Sequence, residues 1–163
     1  WKHVIMPKAI HPRHKFFVWL AAWRRLATVE RLSRFGITIP QLCIFCGCYD
    51  EYFDHLYFEC AITRRLWSRM IRWVGYTRMI GSWNEELKWI DEVARRKSAK
   101  CAVTCCVFGA VIAEVWKMRN LLRFQSGSYQ EDRMCKEIAT HIHIKGRDNV
   151  KWQETLKNMT PIP

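Results

Sequence analysis

Apolar residues recur at helical spacing along most of this chain, and the pattern predicts a mainly helical protein. Pro12 can occupy the first turn of the first helix, because its missing N–H is not needed there. Its apolar positions are Phe16, Phe17, Leu20 and either Ala21 or Trp23. Thr28 can cap a shorter helix that ends at Gly36, so the two are expected to form a hairpin.

Residues 37–40 have an extended pattern, because Ile37 and Ile39 alternate with other residues ahead of Pro40. A helix is then expected from about Ala61 to Val74. Its inward positions are Ile62, Leu66, Met70 and Trp73, and its outward positions are Arg65, Ser68, Arg69 and Arg72.

The second half of the chain carries further helix signals. Ser82 with Glu85, and Ser128 with Glu131, each match the S-x-x-E capping box that opens a helix. A last short helix is expected from Asp148. The sequence therefore predicts an all-α fold with a minor extended segment near residues 37–40.

The longest predicted helix, Ser98 to Phe124, is apolar nearly all round in its middle, which argues for burial between other elements. Part of that surface is expected to meet another protein subunit, since a stable monomer exposes little apolar area. Its apolar run from Cys101 to Ala113 has thirteen residues, fewer than the roughly 20 that cross a bilayer. We expect no membrane partner.

Four residues carry the clearest chemistry: Cys43, Cys46, His55 and Cys60, in the spacing C-x2-C-x8-H-x4-C. Two thiolates from a tight turn, followed by a histidine and a third thiolate one helical turn apart, suit a closed tetrahedral zinc site. Three thiolates with no open position make the ion a poor Lewis acid, so the pattern predicts one structural Zn²⁺ and no catalysis by it.

Two alternatives compete with this assignment. The three cysteines could be buried free thiols and His55 a core histidine, although Gly47 behind the second thiol fits a metal-binding turn. Cys48 could also compete as a ligand, but its alternate position in the turn is expected to point it away from the metal. The remaining cysteines lie mostly in apolar helical sequence and are interpreted as buried free thiols in a reducing compartment: Cys101, Cys105, Cys106 and Cys135.

The chain has a net charge of +12, and the excess is uneven. Residues 1–78 hold thirteen Lys and Arg against five Asp and Glu, whereas residues 79–163 hold fourteen against ten. A polyanion is the expected partner, and nucleic acid is favoured over a membrane surface. We therefore expect a basic zinc-containing module over residues 1–78, and a helical region over residues 79–163 that packs on it or on a partner.

The candidate phosphate contacts share one face of the helix that follows Cys60, and they are Arg64, Arg65, Arg69 and Arg72. The alternative is an ordinary solvated helix face. Lys15, Arg24 and Arg25 on the preceding hairpin could extend the surface. Phe45 and Tyr49, beside the metal turn, are the candidate base-stacking rings. His11, His14, His141 and His143 lack ligand spacing and are interpreted as ordinary residues.

With these residues in view, the chain resembles the zinc-binding reverse-transcriptase domain at the C-terminal end of plant LINE-type retrotransposon proteins. The resemblance follows a series of short motifs in order. They are Pro12, Lys15 to Leu20, Arg25 to Thr28, Arg31-Leu32, Ile37 to Ile39, Cys43 to Gly47, Asp50-Glu51, His55 to Cys60 and Arg65 to Trp67, then Val115 to Asn120. The family pattern usually allows Pro after the last cysteine, where this chain has Ala61.

The resemblance implies an accessory module of a polymerase that holds RNA or target DNA, with RNA favoured. No aspartate pair of a polymerase palm and no clustered carboxylates of a nuclease are recognisable, so this segment is expected to be non-catalytic. The alternative is a domesticated structural subunit of a larger ribonucleoprotein assembly, such as an organellar ribosome. The expected location is the nucleus or cytoplasm for a retroelement protein, and a mitochondrion or plastid for a domesticated one.

Overall fold

A computed structural model describes residues 10–147 and 149–159, and these residues are mostly helical. The helices are α1 (Pro12–Ala22), α2 (Val29–Ser33), α3 (Ala61–Trp73), α4 (Trp83–Arg95), α5 (Ala99–Phe124), α6 (Glu131–Gly146) and α7 (Val150–Lys157). Within the described ranges there is no strand, and residues 37–40 are irregular. One antiparallel bridge joins Leu42 to Asp50. The predicted all-α class is confirmed.

Helix α5 forms the centre of the fold, and α1, α3, α4, α6 and α7 pack around it. Ser98 caps it as expected, since its hydroxyl oxygen accepts from the Cys101 N–H at 3.1 Å. Every residue from Val103 to Ala113 is buried. By length and composition alone α5 could span a membrane, with a mean hydropathy of 1.6 over 18 residues, but 72% of that window is buried inside the protein.

The burial of α5 bears on the expected protein partner of this helix and on the expected division of the chain after residue 78. Residues 103–113 are covered within this chain, so a partner-facing apolar surface on α5 would have to lie outside them, and contact with another protein stays a prediction. The hydrophobic core also continues across the boundary expected between residues 78 and 79, because α5 of the second region packs on α1 of the first.

The buried face of α1 agrees only in part with the prediction, because Ala21 is buried and Phe17 and Leu20 pack against the core, whereas Phe16 is exposed. The buried positions are His14, Val18 and Ala21, whereas Phe16, Trp19 and Trp23 are 54%, 38% and 52% exposed. Close approach to α5 explains the difference, because a Cβ on Gly109 would lie 3.1 Å from Ile10 Cγ2 and 3.7 Å from Val18 Cγ2. Small side chains fit this contact and bulky rings do not.

One of the two predicted capping boxes forms, and the other does not. Ser82 and Glu85 form the predicted box, with the Ser82 N–H donating to Glu85 Oε2 at 2.7 Å. The box at Ser128 is wrong, since α6 begins at Glu131 with Gln130 as its N-cap. The Glu131 carboxylate binds arginines of α3 and does not turn back to cap its own helix. The start predicted for the last helix, Asp148, lies outside the described residues.

Candidate metal centre and nucleic-acid interface

The first two candidate ligands lie on a tight loop closed by backbone hydrogen bonds. The Cys43 N–H donates to the Tyr49 carbonyl at 2.7 Å, and the Glu51 N–H donates to the Gln41 carbonyl at 2.8 Å. The Gly47 N–H donates to the Cys43 carbonyl at 2.8 Å, and Gly47 has φ +65°. This left-handed conformation favours glycine, so Gly47 lets the loop turn back behind Cys46.

The last two candidate ligands are joined by one wide turn, His55–Glu59, in which the Cys60 N–H donates to the His55 carbonyl at 2.8 Å. The expected α-helical turn between them is wrong. Residues five apart on an α-helix point about 140° apart, so a regular helix would separate the two ligands. Instead the backbone leaves the helical region at Tyr57 and Phe58.

Phe58 adopts φ 81°, which is unfavourable for a residue with a side chain. Two contacts hold it there. Its ring is buried and stacks on Trp83, with centroids 5.8 Å apart and an interplanar angle of 13°. Its carbonyl accepts from Arg64 Nε at 2.6 Å. Core packing therefore stabilises the turn that brings Cys60 back towards His55.

The four ligand atoms of Cys43, Cys46, His55 and Cys60 all lie within 4.8 Å of one another. Cys43 Sγ is 4.0 Å from Cys60 Sγ, and Cys46 Sγ is 3.3 Å from His55 Nε2. A tetrahedral zinc with sulfur at about 2.3 Å and nitrogen at about 2.0 Å requires separations of roughly 3.5 to 3.8 Å. The four residues therefore fit one structural zinc.

The two buried thiols interact directly, since Cys43 Sγ donates to Cys60 Sγ. This bond lowers the pKa of Cys60 to about 5 and, with burial, raises the pKa of Cys43 well above its ordinary value. Zinc binds thiolates, so its binding displaces the shared proton. The affinity of the site therefore falls as the solution becomes more acidic.

The remaining cysteines lie outside this ligand group. Cys48 is exposed, and its Sγ donates to the Cys46 carbonyl at 3.0 Å. Cys101, Cys105, Cys106 and Cys135 are buried free thiols. Burial raises the pKa of Cys105 and Cys106 to about 12, which keeps both thiols protonated and unreactive.

A buried ion pair that sequence analysis did not identify ties the metal loop to α5. Glu51 and Arg119 are each about 1% exposed, and Arg119 Nη2 lies 2.7 Å from Glu51 Oε1. Arg123 donates to Glu51 Oε2 at 3.0 Å and to the Pro40 and Leu42 carbonyls at 2.8 Å each. The sequence does contain a signal for this pair, since Arg119 and Arg123 lie in a largely apolar helix. Charged side chains that are buried with such a helix need partners of opposite charge.

The predicted arginine face is largely occupied by contacts within the protein. Arg65 and Arg69 bind the Glu131 carboxylate at 2.7 and 2.9 Å, and Arg69 also pairs with Asp132 at 2.8 Å. Arg64 donates to the Phe58 carbonyl, and Arg72 Nε donates to the Ser68 carbonyl at 3.3 Å. Arg65 and Arg69 therefore connect α3 to α6.

The other candidates for binding nucleic acid fall into two groups. Arg24 pairs with Asp54 at 2.7 Å, and Phe45 packs edge-on against Tyr129 with centroids 5.5 Å apart. Among the described residues, Lys15 and Arg25 form no ion pair, and Tyr49 is 66% exposed beside the His55 ring. Lys15, Arg25 and Tyr49 are therefore the candidates whose side chains are accessible to a nucleic acid.

Comparison with known proteins gives one finding. No curated protein and no solved structure matches the chain. Residues 1–67 match the family model described as zinc-binding in reverse transcriptase, which describes the accessory zinc domain and not a catalytic polymerase domain. The match confirms the resemblance over this range, which contains all four residues of the Cys3His cluster.

Proposed function

We propose that this protein binds single-stranded nucleic acid, with RNA preferred over DNA, and that its zinc maintains the fold of the binding module. The four protein ligands fill a tetrahedral coordination shell, and Cys43, His55 and Cys60 are buried. The ion therefore has no position for a reacting water. What supports binding is an exposed surface on α1.

The observation that carries the proposal is an exposed row of aromatic rings on α1 and its C-cap residue, here called the α1 aromatic stripe (Phe16, Trp19 and Trp23). These positions share one helix face because they are three and four residues apart. The Phe16 and Trp19 rings have centroids 6.4 Å apart and are inclined by 27°. Bases stack on such rings with about 1–3 kcal/mol each, with little dependence on sequence.

Cationic side chains accompany the stripe. Lys15 lies on α1 beside Trp19 by helical projection, and Arg25 follows the end of the helix and is exposed. Neither has a carboxylate partner among the described residues, so both are available to phosphate. Arg65 and Arg69 are weaker candidates, since a phosphate would have to displace Glu131 from them.

The test measures binding of a fluorescent single-stranded RNA, and of the DNA of the same sequence, by anisotropy over a range of salt concentrations. Phe16→Ala with Trp19→Ala is expected to weaken RNA binding about 10-fold or more, because each lost stacking contact costs about 1–3 kcal/mol. Phe35→Ala is the matched control, because this ring is 68% exposed in the turn after α2, outside the stripe. Equal weakening by the control would contradict a specific role for α1.

A second arm tests the cations. Lys15→Gln with Arg25→Gln is expected to lower the magnitude of the salt slope by about 1.4, or 0.7 for each phosphate contact with a single strand. Arg65→Gln with Arg69→Gln is expected to leave the slope unchanged. An unchanged slope in the first pair and a reduced slope in the second would place the phosphate path on α3.

The alternative function is a structural subunit of a ribonucleoprotein assembly, in which the α1 aromatic stripe meets protein. Aromatic residues and arginine are enriched in such interfaces. Absence of RNA and DNA binding by the zinc-loaded protein at low salt would favour this alternative and reject the proposal. Helix α5 gives it no support, because residues 103–113 are buried within the chain.

A further inference from the structure

Three histidines from two separate parts of the chain meet on the side of α5 where α1 and α6 pack. The ring centroids are 5.4 Å apart for His11 and His14, 5.5 Å for His11 and His141, and 4.7 Å for His14 and His141. All three lack ligand spacing in the sequence and are interpreted there as ordinary residues, and His141 lies far from the other two along the chain.

The positions of His11 and His14 are fixed by the start of α1. His11 is the N-cap, and its Nδ1 accepts from the Arg13 N–H at 3.3 Å, which leaves Nε2 for another ligand. His14 is one turn further along and only 7% exposed. Gly109 allows α1 to approach α5 here, since its Cβ position lies 3.6 Å from His14 Cβ. The backbone therefore presents both imidazoles to the same space.

That space is a cavity of about 170 Å³, and its lining includes all three histidines and Glu114 of α5. Glu114 contributes a carboxylate, and its own partner is the exposed Lys117 at 3.0 Å. No hydrogen bond within the described ranges involves an imidazole nitrogen of His14 or His141. The cavity thus holds three imidazoles and a carboxylate, which are ligand types that zinc accepts.

We propose that His11, His14, His141 and Glu114 form a second metal site that binds Zn²⁺. Three imidazoles bound tetrahedrally through nitrogen at about 2.0–2.1 Å place their ring centroids roughly 5 Å apart, as found here. Rotation of the His14 and His141 rings about the last side-chain torsion, which is soft for histidine, turns their nitrogens towards His11 Nε2 while the His11 ring keeps its cap. The site is separate from the Cys3His centre and does not depend on nucleic-acid binding.

The surrounding charges set the expected strength of the site. Arg13 and Lys117 also line the cavity, and Lys145 lies close enough to affect both His14 and His141. These cations disfavour a dication, so the second zinc binds more weakly than the first. Burial lowers the pKa of His14 to about 4, and burial with nearby His11 also lowers the pKa of His141. Both rings are therefore neutral near pH 7, the form in which imidazole binds metal.

The test counts zinc by equilibrium dialysis of the full chain at neutral pH, followed by elemental analysis. The wild-type protein is expected to hold two ions at saturation. His141→Gln and His11→Asn are each expected to weaken the second ion at least about 10-fold. His11→Asn retains an N-cap acceptor, so its loss of zinc is not explained by fraying of α1. Circular dichroism of each variant checks that the helices are intact.

Two matched controls exclude other sources of a second ion. His143→Gln changes a neighbouring histidine of α6 whose ring lies beside Trp73, with centroids 5.8 Å apart. Cys48→Ser removes the exposed thiol next to the first centre. Both variants are expected to keep two ions, and loss of the second ion in either one overturns the assignment.

Nuclear magnetic resonance of the imidazole nitrogens gives a second, independent readout. Zinc added beyond the first equivalent is expected to shift the ring nitrogens of His11, His14 and His141 and to leave those of His143 unchanged. One ion in the wild-type protein at saturation, or an unchanged affinity of His141→Gln for the second ion, overturns the proposal. Shifts produced by inorganic phosphate but not by zinc also overturn it and identify the cavity as an anion site.

Discussion

Arg119 of α5 and Glu51 of the zinc loop form a buried salt bridge across 68 residues of sequence, with Nη2 and Oε1 2.7 Å apart. Glu51 also accepts from the Val29 N–H at 3.1 Å, at the start of α2. One carboxylate therefore joins the zinc loop, the α1–α2 hairpin and the central helix. The zinc loop is held against the second half of the chain by charge as well as by apolar packing.

Replacing Glu51 by Gln is expected to lower the free energy of unfolding of the zinc-loaded protein by about 3 kcal/mol, because two guanidinium groups lose a buried anionic partner. Urea unfolding followed by circular dichroism measures the change. Glu92→Gln, at an exposed position of α4, is the control and is expected to stay within about 0.5 kcal/mol of wild type. A loss below 1 kcal/mol for Glu51→Gln would show that the pair is not important for stability.

Removal of zinc is expected to loosen residues 37–75 more than α5 and α6. Metal binding is coupled to local folding, and the ligand loop has few backbone hydrogen bonds apart from those that close it. Hydrogen exchange before and after chelation measures this difference. Native mass spectrometry is expected to show one tightly bound zinc, and metal-free wild-type protein prepared under reducing conditions would contradict the Cys3His centre.

Gly47→Ala is expected to weaken zinc binding, because alanine disfavours φ +65° by about 1–2 kcal/mol and the strain falls on the loop that holds Cys43 and Cys46. Gly36→Ala is the matched control, since Gly36 has φ +76° and its Cβ position is equally open. Both substitutions are expected to reduce stability, but competition with a zinc chelator should detect weaker binding only for Gly47→Ala. Equal affinity for both variants would exclude a role for the turn in holding the metal.

The middle of α5 is expected to show the strongest exchange protection in the chain, because residues 103–113 are buried on all sides by other helices. Sedimentation of the purified protein is expected to give a monomer, since this apolar stretch is covered within the chain. Weak protection over residues 103–113, or self-association that disappears only when they are mutated, would show that the helix packs on a partner.

The metal ligands could be predicted because they lie within eighteen residues, and their chemistry depends on residue type and spacing. The box at Ser82 and the start of α5 at Ser98 could be predicted for the same reason, since a capping side chain acts on its own first turn. Ser128 shows the limit of such signals. Glu131 has the right spacing from it, but two arginines of α3 bind its carboxylate more favourably than the single N–H of a cap.

The sequence by itself determined the helical class, the zinc ligands and the basic character of the first half, because each depends on neighbouring residues or on composition. Tertiary structure decided which face of α1 is buried, which arginines are already paired, and that Glu51 meets Arg119 and His14 meets His141. Those contacts join segments far apart in sequence. They are selected by shape and charge when the helices close around α5, as Gly109 shows by admitting Val18 and leaving Phe16 and Trp19 outside.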